Sequence, residues 1–229
     1  MCGRYTVSNP GEILPELLGN DEAFEVAARY NVAPTQVAPV VVAGPDGSRT
    51  LREMRWGLVP YWAKDMEIGN RMINARSETA ADKPAFRDSF QRRRCLVAAD
   101  GFYEWQKVPG GKQPFLLRAE GGAPIGFAGL WDRWHGPRGR VVESFAVLTT
   151  RPNSVAAPIH DRMPVILSPE GRSLWLDRNG QPEALADLLV PSPASELEAI
   201  PVSDYVNSPA HDSLECMQPV LLPTQDSLF

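Results

Sequence analysis

The hydrophobic positions of this chain fall mostly into short runs broken by turn-forming residues, which is the spacing of strands rather than of long helices. Val37 to Ala43 is one such run; Gly44-Pro45-Asp46-Gly47 turns the chain and Thr50 to Trp56 brings it back, predicting a hairpin. Further strands are predicted at Cys95–Ala98, Gly101–Gln106, Pro114–Arg118, Ile125–Leu130, Glu143–Thr150, Met163–Leu167 and Leu197–Val202. Helical spacing occurs at Pro10–Gly19 with Asn9 as its cap, around Pro84–Phe90, at Pro169–Leu176 behind a capping Ser168, and at Pro182–Leu189. Tyr30 to Gln36 reads as a Pro-fixed loop, and Trp56 to Trp62 as a structured aromatic loop. The 22 prolines and 18 glycines sit mostly between these segments. Many short strands with few, peripheral helices predict an α+β fold built on a β-rich, curved or barrel-like sheet.

At 229 residues and 43% hydrophobic content the chain suits one domain spanning residues 1–229, with a tail from about residue 209. It has neither a leading signal-like run nor a long apolar stretch, so a cytoplasmic protein off the membrane is expected. Cys2, Cys95 and Cys216 are odd in number and widely spaced, and His135, His160 and His211 lack ligand spacing; no disulfide framework, metal or cofactor is expected. The net charge of -5 disfavours a general affinity for polyanions, but the acidic excess lies toward the C-terminus. Between Arg71 and Arg94, basic residues (Arg71, Arg76, Lys83, Arg87, Arg92, Arg93, Arg94) outnumber Glu78, Asp82 and Asp88, enough for a local phosphate patch. Arg92-Arg93-Arg94 reads equally well as a solvated approach to a strand.

The chemistry begins at Met1-Cys2-Gly3-Arg4-Tyr5. Loss of Met1 would leave Cys2 with a thiol and a free α-amine. Such an amine, with a pKa of about 8 against about 10.4 for lysine, keeps a useful neutral fraction at pH 7. It can attack an aldehyde, and the thiol can then close a thiazolidine ring on the imine. In Asp100-Gly101-Phe102-Tyr103-Glu104-Trp105 a carboxyl group sits among aromatic rings, whose desolvation raises its pKa toward neutrality; pairing with an arginine is the equally weighted alternative. His160 and Arg162 would share one side of an extended segment, as would Asn74 and Arg76. In each case a group suited to chemistry stands two residues from a phosphate-binding fork. Trp62, Trp105, Trp131 and Trp134 offer stacking surfaces, whereas Trp175 reads as core.

The order MCGRY, YNVAPTQ, RWGLVPYWA, NARSET, RRCLVAADGFYEW, FAGLW, IHDRMPVIL and VSDYVNSP strongly resembles the SOS response-associated peptidase (SRAP) family, whose members process abasic sites in DNA. The blocks run from residue 1 to about 208. The resemblance implies a single-domain SRAP-like fold with a basic cleft for single-stranded DNA, and a thiazolidine link between the mature N-terminal cysteine and the ring-opened abasic sugar. Carried over residue by residue, it makes Cys2 the nucleophile, gives Asn74 the holding of the reacting group, gives Glu104 the protons, and has His160 assist ring opening and reversal. Arg76, Arg162 and, less strongly, Arg4 match phosphate contacts; Trp62 and Trp105 match stacking or wedge residues. Ala98-Ala99-Asp100 departs from the family's Pro-Ala-Asp without touching the chemistry. A retained Met1 would block the amine, and its removal is an expected autocatalytic step that a generic aminopeptidase could equally perform. Weak β-elimination lyase activity is implied as a side reaction of the imine, and a monomer in the cytoplasm, nucleoid-associated if bacterial, is expected. Two other readings compete. An N-terminal-nucleophile amidohydrolase also begins Met-Cys-Gly, though Arg4-Tyr5 and the later blocks do not fit it. A non-catalytic single-strand binder would leave Cys2 incidental.

Overall fold

The computed structural model describes residues 2–20, 25–180 and 182–222. Their strands are β1 (Arg4–Val7), β2 (Arg29–Val32), β3 (Val37–Ala43), β4 (Arg49–Trp56), β5 (Asn74–Arg76), β6 (Arg94–Ala99), β7 (Gly101–Val108), β8 (Gly111–Ala119), β9 (Ile125–His135), β10 (Val141–Thr150), β11 (Met163–Pro164), β12 (Ile166–Leu167) and β13 (Leu197–Pro201). The helices are short: α1 (Pro10–Leu18), α2 (Arg87–Arg92), α3 (Pro169–Leu176) and α4 (Pro182–Asp187). One sheet runs β13-β8-β7-β1-β2. In the other, β4, β3, β6 and β9 pair antiparallel in turn, and β10 closes the ring by pairing antiparallel with β9 and parallel with β4. The result is a closed five-stranded barrel, which leaves no open ladder among those strands. The α+β, barrel-like architecture expected from the alternation of short strands is the one observed.

The barrel closes because its long strands carry apolar inward positions and small residues at the tightest contacts. At Gly129 of β9 a Cβ would stand 2.8 Å from the sulfur of Cys95 and 2.9 Å from a Val97 methyl. Tyr5, Trp56, Phe102, Phe127 and Phe145 are fully buried. Tyr5 meets Trp56 edge-on at 5.1 Å, and Trp56 stacks parallel to Phe145 at 6.3 Å. A second apolar cluster, Tyr103, Leu116, Val202, Val206 and Cys216, lies on the other face of the first sheet. Successive residues of β7 therefore serve different clusters: Phe102 packs in the barrel core and Tyr103 in the second.

Several elements differ from their sequence expectation. Tyr30 to Val32 is not loop; it belongs to β2, paired with β1 through Tyr5 and Val32. α2 starts at Arg87, because Lys83 to Phe86 is spent on turns around Pro84. Asn9 occupies the cap position of α1, but its side chain makes no capping bond. The buried Asp100 instead fixes the chain leading into the helix: Oδ2 accepts from Ser8 N (2.7 Å), Ser8 Oγ (2.6 Å) and Asn9 N (3.0 Å), and Oδ1 from the Thr6 hydroxyl. Gly19 closes the helix in the left-handed region at φ 71°. Ser168 caps α3 as expected, accepting from Gly171 N at 3.1 Å.

From residue 209 to Met217 the chain stays against the protein. Asp212 accepts from Tyr30 N (2.6 Å), Asn31 N (2.9 Å) and the Arg29 guanidinium, and Cys216 is buried. No helix among the described residues is long and apolar enough to cross a membrane.

Candidate active site

β1 pairs with β7 in the register Arg4 to Tyr103 and Tyr5 to Phe102. One residue further back, this register carries the Cys2–Gly3 segment alongside Glu104. Cys2 is fully buried, with its thiol directed at the carbonyl of Arg4, 3.8 Å away. From the barrel side, β5 runs parallel to β10 with Asn74 opposite Val147. That placement lets Asn74 Nδ2 donate to the carbonyl oxygen of Cys2 at 2.8 Å. The other end of the amide, Oδ1, is buried without a hydrogen-bond partner among the described residues. It is free to accept from a group bound beside Cys2.

His160 arrives from the loop between β10 and β11. Gln106 Nε2 donates to Pro158 O at 3.1 Å, tying that loop to β7. Turns run from 154 to 159 and the chain bends at Asp161, so the segment is not the extended chain expected. His160 Nδ1 is turned to the backbone of Arg162, 3.0 Å from its nitrogen and 3.3 Å from its carbonyl oxygen, which directs Nε2 to the other side of the ring. Nε2 stands 3.9 Å from Glu104 Oε2, across the space where a reacting group would sit. The exposed Asp161 carboxylate lies 3.0 Å from Nδ1 on the outer side.

Burial dominates the electrostatics. It pushes the Cys2 thiol far above its ordinary range, and the Glu104 charge pushes in the same direction. It also raises the Glu104 carboxyl to about 7, with Asp161 adding to the effect. Burial holds the His160 imidazole below its usual value, so the ring is neutral at pH 7. The arrangement can keep a thiol neutral, shuttle protons at neutral pH through a carboxyl group, and orient a substrate by amide and imidazole.

The remaining residues singled out from the sequence divide into groups. Arg162 forks onto Glu78 at 2.6 and 2.9 Å and also donates to the Thr149 carbonyl. Arg76 lies opposite Thr149 in the β5–β10 register and is exposed, so two guanidinium groups flank that point. Arg4 turns away from the Cys2 thiol: Nη1 donates to Val206 O (3.0 Å) and Asn31 Oδ1 (3.3 Å), and its guanidinium lies 6.0 Å from the Trp105 ring. Trp105 is on the opposite face of β7 from Glu104 and donates through Nε1 to Asn207 Oδ1 at 2.7 Å. Trp62, 47% exposed, lines a separate cleft of about 720 Å³ with Lys64, Ile68, Asn70 and Arg71. The three cysteines are unpaired, as their spacing predicts.

Sequence reasoning gave no role to Glu78, Thr149, Gln106 or Asn207. Glu78 stands two residues from Arg76, but its partner is Arg162, 84 positions away. Nothing local signals such a pair.

Fold and site together define a small barrel protein whose first strand lays a buried thiol beside a carboxyl group, an amide and an imidazole. The sequence pattern of SOS response associated peptidase (SRAP) matches residues 1–209, and the chain belongs to that family. It is 40% identical over 223 residues to the abasic site processing protein YoqW of Bacillus subtilis, covering 95% of this chain and 99% of that one. Identity to the abasic site processing protein YedK of Escherichia coli is 32% over 229 residues, covering 96% and 100%. With the abasic site processing protein HMCES of Gallus gallus it is 32% over 224 residues, covering 84% of this chain and 66% of that one. A crystal structure of a protein from Bacteroides thetaiotaomicron superimposes with a TM-score of 0.84 at 25% identity, covering 96% of this chain and all of that one.

Proposed function

We propose that this protein captures abasic sites in single-stranded DNA by a covalent thiazolidine bond to Cys2, formed after Met1 is removed, and so shields the lesion during replication. The observation that supports the reading most is the convergence of Cys2, Asn74, Glu104 and His160 on one buried point, from four separate segments of the chain. In the open sugar the C1′ aldehyde is the electrophile. The Cys2 α-amine adds to it, and Glu104, titrating at about 7, protonates the departing hydroxyl so that water leaves and an imine remains. The thiol is held neutral by burial, so attack by the amine comes first. The imine nitrogen keeps its own hydrogen and positive charge until ring closure. Glu104, now a carboxylate, takes the thiol proton as sulfur bonds to the imine carbon, which leaves the ring nitrogen neutral and returns Glu104 to its acid form. Atoms balance: aldehyde, amine and thiol give one thiazolidine and one water.

Asn74 Oδ1 orients the sugar hydroxyls or the amine, and His160 assists opening of the sugar ring and reversal of the link. Arg76 and Arg162 hold the flanking phosphates, with Arg4 a weaker candidate; Trp62 and Trp105 stack on or wedge beside neighbouring bases. An imine that fails to close permits β-elimination, a weak lyase activity. The same nucleophile and carboxyl group can act on the Met1–Cys2 bond, making Met1 removal autocatalytic. Such a protein works as a single-domain monomer in the cytoplasm, at the nucleoid of a bacterial cell, without a membrane partner.

The test is a single-stranded oligonucleotide with one abasic site, mixed with protein whose loss of Met1 is confirmed by intact mass. A heat-stable adduct on a denaturing gel is expected from the wild type and none from Cys2→Ala. No adduct despite a reactive aldehyde would reject covalent capture and favour amide hydrolysis, which a glutamine hydrolysis assay would then register.

A further inference from the structure

The chemistry around Cys2 leaves a second charged concavity unused. A cavity of about 370 Å³ is lined by Arg52, Arg92, Arg93, Arg94 and Arg178 together with Trp131, and no carboxylate or amide side chain lines it. Five arginines thus line one space in a chain of net charge -5. Arg94 is its fixed floor: buried, it donates to the carbonyls of Trp175 (2.6 Å), Phe90 (2.8 Å) and Gln91 (3.0 Å). Arg52 is steered from outside by Glu143 at 2.8 Å and lies 5.7 Å over the Trp131 ring. Arg93 is steered by Asp132 at 3.2 Å. Arg92 and Arg178 are exposed and form no ion pair among the described residues. Asp46 and Asp177 line the adjoining cleft beyond Arg178 and offset part of the charge there. Two arginines are therefore pre-positioned by carboxylates while two remain free to close on an anion.

Arg93 links the cavity to an aromatic surface. The Arg93 guanidinium stands 6.0 Å from the Tyr61 ring, and Tyr61 and its neighbour Trp62 are 53% and 47% exposed. Bases stacked on that pair would have their backbone led by Arg93 toward Arg92 and Arg178.

We propose that the five-arginine cavity is a second phosphate-binding site, which holds backbone phosphates of the same single strand whose lesion lies at Cys2. This rests on the single-strand reading above and adds to it a distal anchor. An anchor of this kind raises affinity without reading sequence, and its contribution falls steeply with salt.

The experiment compares wild type with the double variant Arg92→Ala/Arg178→Ala, which spares the structural Arg94. Affinity is measured against salt concentration for a long abasic oligonucleotide and for a short one confined to the Cys2 site. For the long strand we expect about tenfold weaker binding at moderate salt and a log–log salt slope shallower by about 1.4, two phosphates at roughly 0.7 each. The short strand, which does not reach the cavity, keeps its affinity, and Arg92→Lys/Arg178→Lys restores most of the slope. An unchanged slope and affinity on the long strand overturns the proposal. Phenylglyoxal modification of wild type, mapped by peptide mass with and without inorganic pyrophosphate, separates the two readings. Protection of Arg92 and Arg178 is expected. If the wild type binds no DNA, the function proposed above fails and the strand anchor with it, whether or not pyrophosphate protects; DNA binding without protection rejects the cavity alone.

Discussion

Glu104 is 4% exposed, and burial lifts its carboxyl from an ordinary value of 4.5 to about 7. A folded state with the higher pKa binds more protons than the unfolded chain between those two values. Stability is therefore full below about pH 4.5 and falls as pH rises to about 7. The loss is on the order of 3 kcal/mol, at 1.36 kcal/mol per unit. Glu104→Gln should abolish that slope, so the variant gains on wild type in urea denaturation at mildly alkaline pH and not at pH 4; parallel pH profiles for the two proteins would contradict the assignment. The same substitution should slow adduct formation by roughly 10²- to 10⁴-fold, the usual contribution of a positioned acid–base. The carboxyl among apolar neighbours was legible in the sequence, and its burial is what the structure shows. The sequence left open whether an arginine neutralises Glu104. The fold decides this by giving its arginines other partners, Arg162 to Glu78 and Arg4 to Val206 and Asn31.

At the level of elements, β1 and α1 are held to the β6–β7 corner by one side chain. Asp100 is 6% exposed and collects two backbone N–H groups and two hydroxyls from residues 6–9. Asp100→Ala would orphan these donors together, at a cost of about 3–5 kcal/mol. Asn9→Ala should cost under about 0.5 kcal/mol, because its side chain caps nothing, against about 1 for a working cap. Thermal unfolding of the two variants checks the contrast, and equal losses would return the capping role to Asn9. The boundaries of α1 could be read from Pro10 and Gly19. The carboxylate that anchors the chain entering it could not, because that acceptor comes from a strand corner about 90 residues on.

Over the whole molecule, the first sheet is finished by the chain's own C-terminal segment. Asn31 Nδ2 donates to the carbonyls of Val206 (3.2 Å), Ser208 (3.0 Å) and His211 (2.8 Å), while Asp212 accepts from β2. Ending the chain after Ser208 would uncover Tyr103 and Leu116 and strip β2 of its carboxylate. We expect a loss of about 3–5 kcal/mol in unfolding free energy. Trp105 should also become more mobile, since its Asn207 partner loses the layer that fixes it; fluorescence anisotropy and urea titration report the two effects. A truncated protein as stable as the full chain would mean that the segment is an appendage.

What the sequence alone determined is local in its physics. Short apolar runs between Pro and Gly punctuation specified the strands and the α+β class, β-branched and aromatic residues filled them, and alternation along β7 sent Phe102 and Tyr103 to different clusters. The proposal of Cys2 and Glu104 as reactive residues also rests on local features, a second-position cysteine and a carboxyl group among rings. Tertiary structure alone decided barrel closure through the β4–β10 pairing, the meeting of Asn74 with Cys2 across 72 positions, and the placing of His160 opposite Glu104. It also gathered Arg52 and Arg178 around the Arg92–Arg94 run, whose role the sequence left undecided. These contacts join distant segments, and the free energy that makes them comes from burying a shared core, which no window of sequence contains.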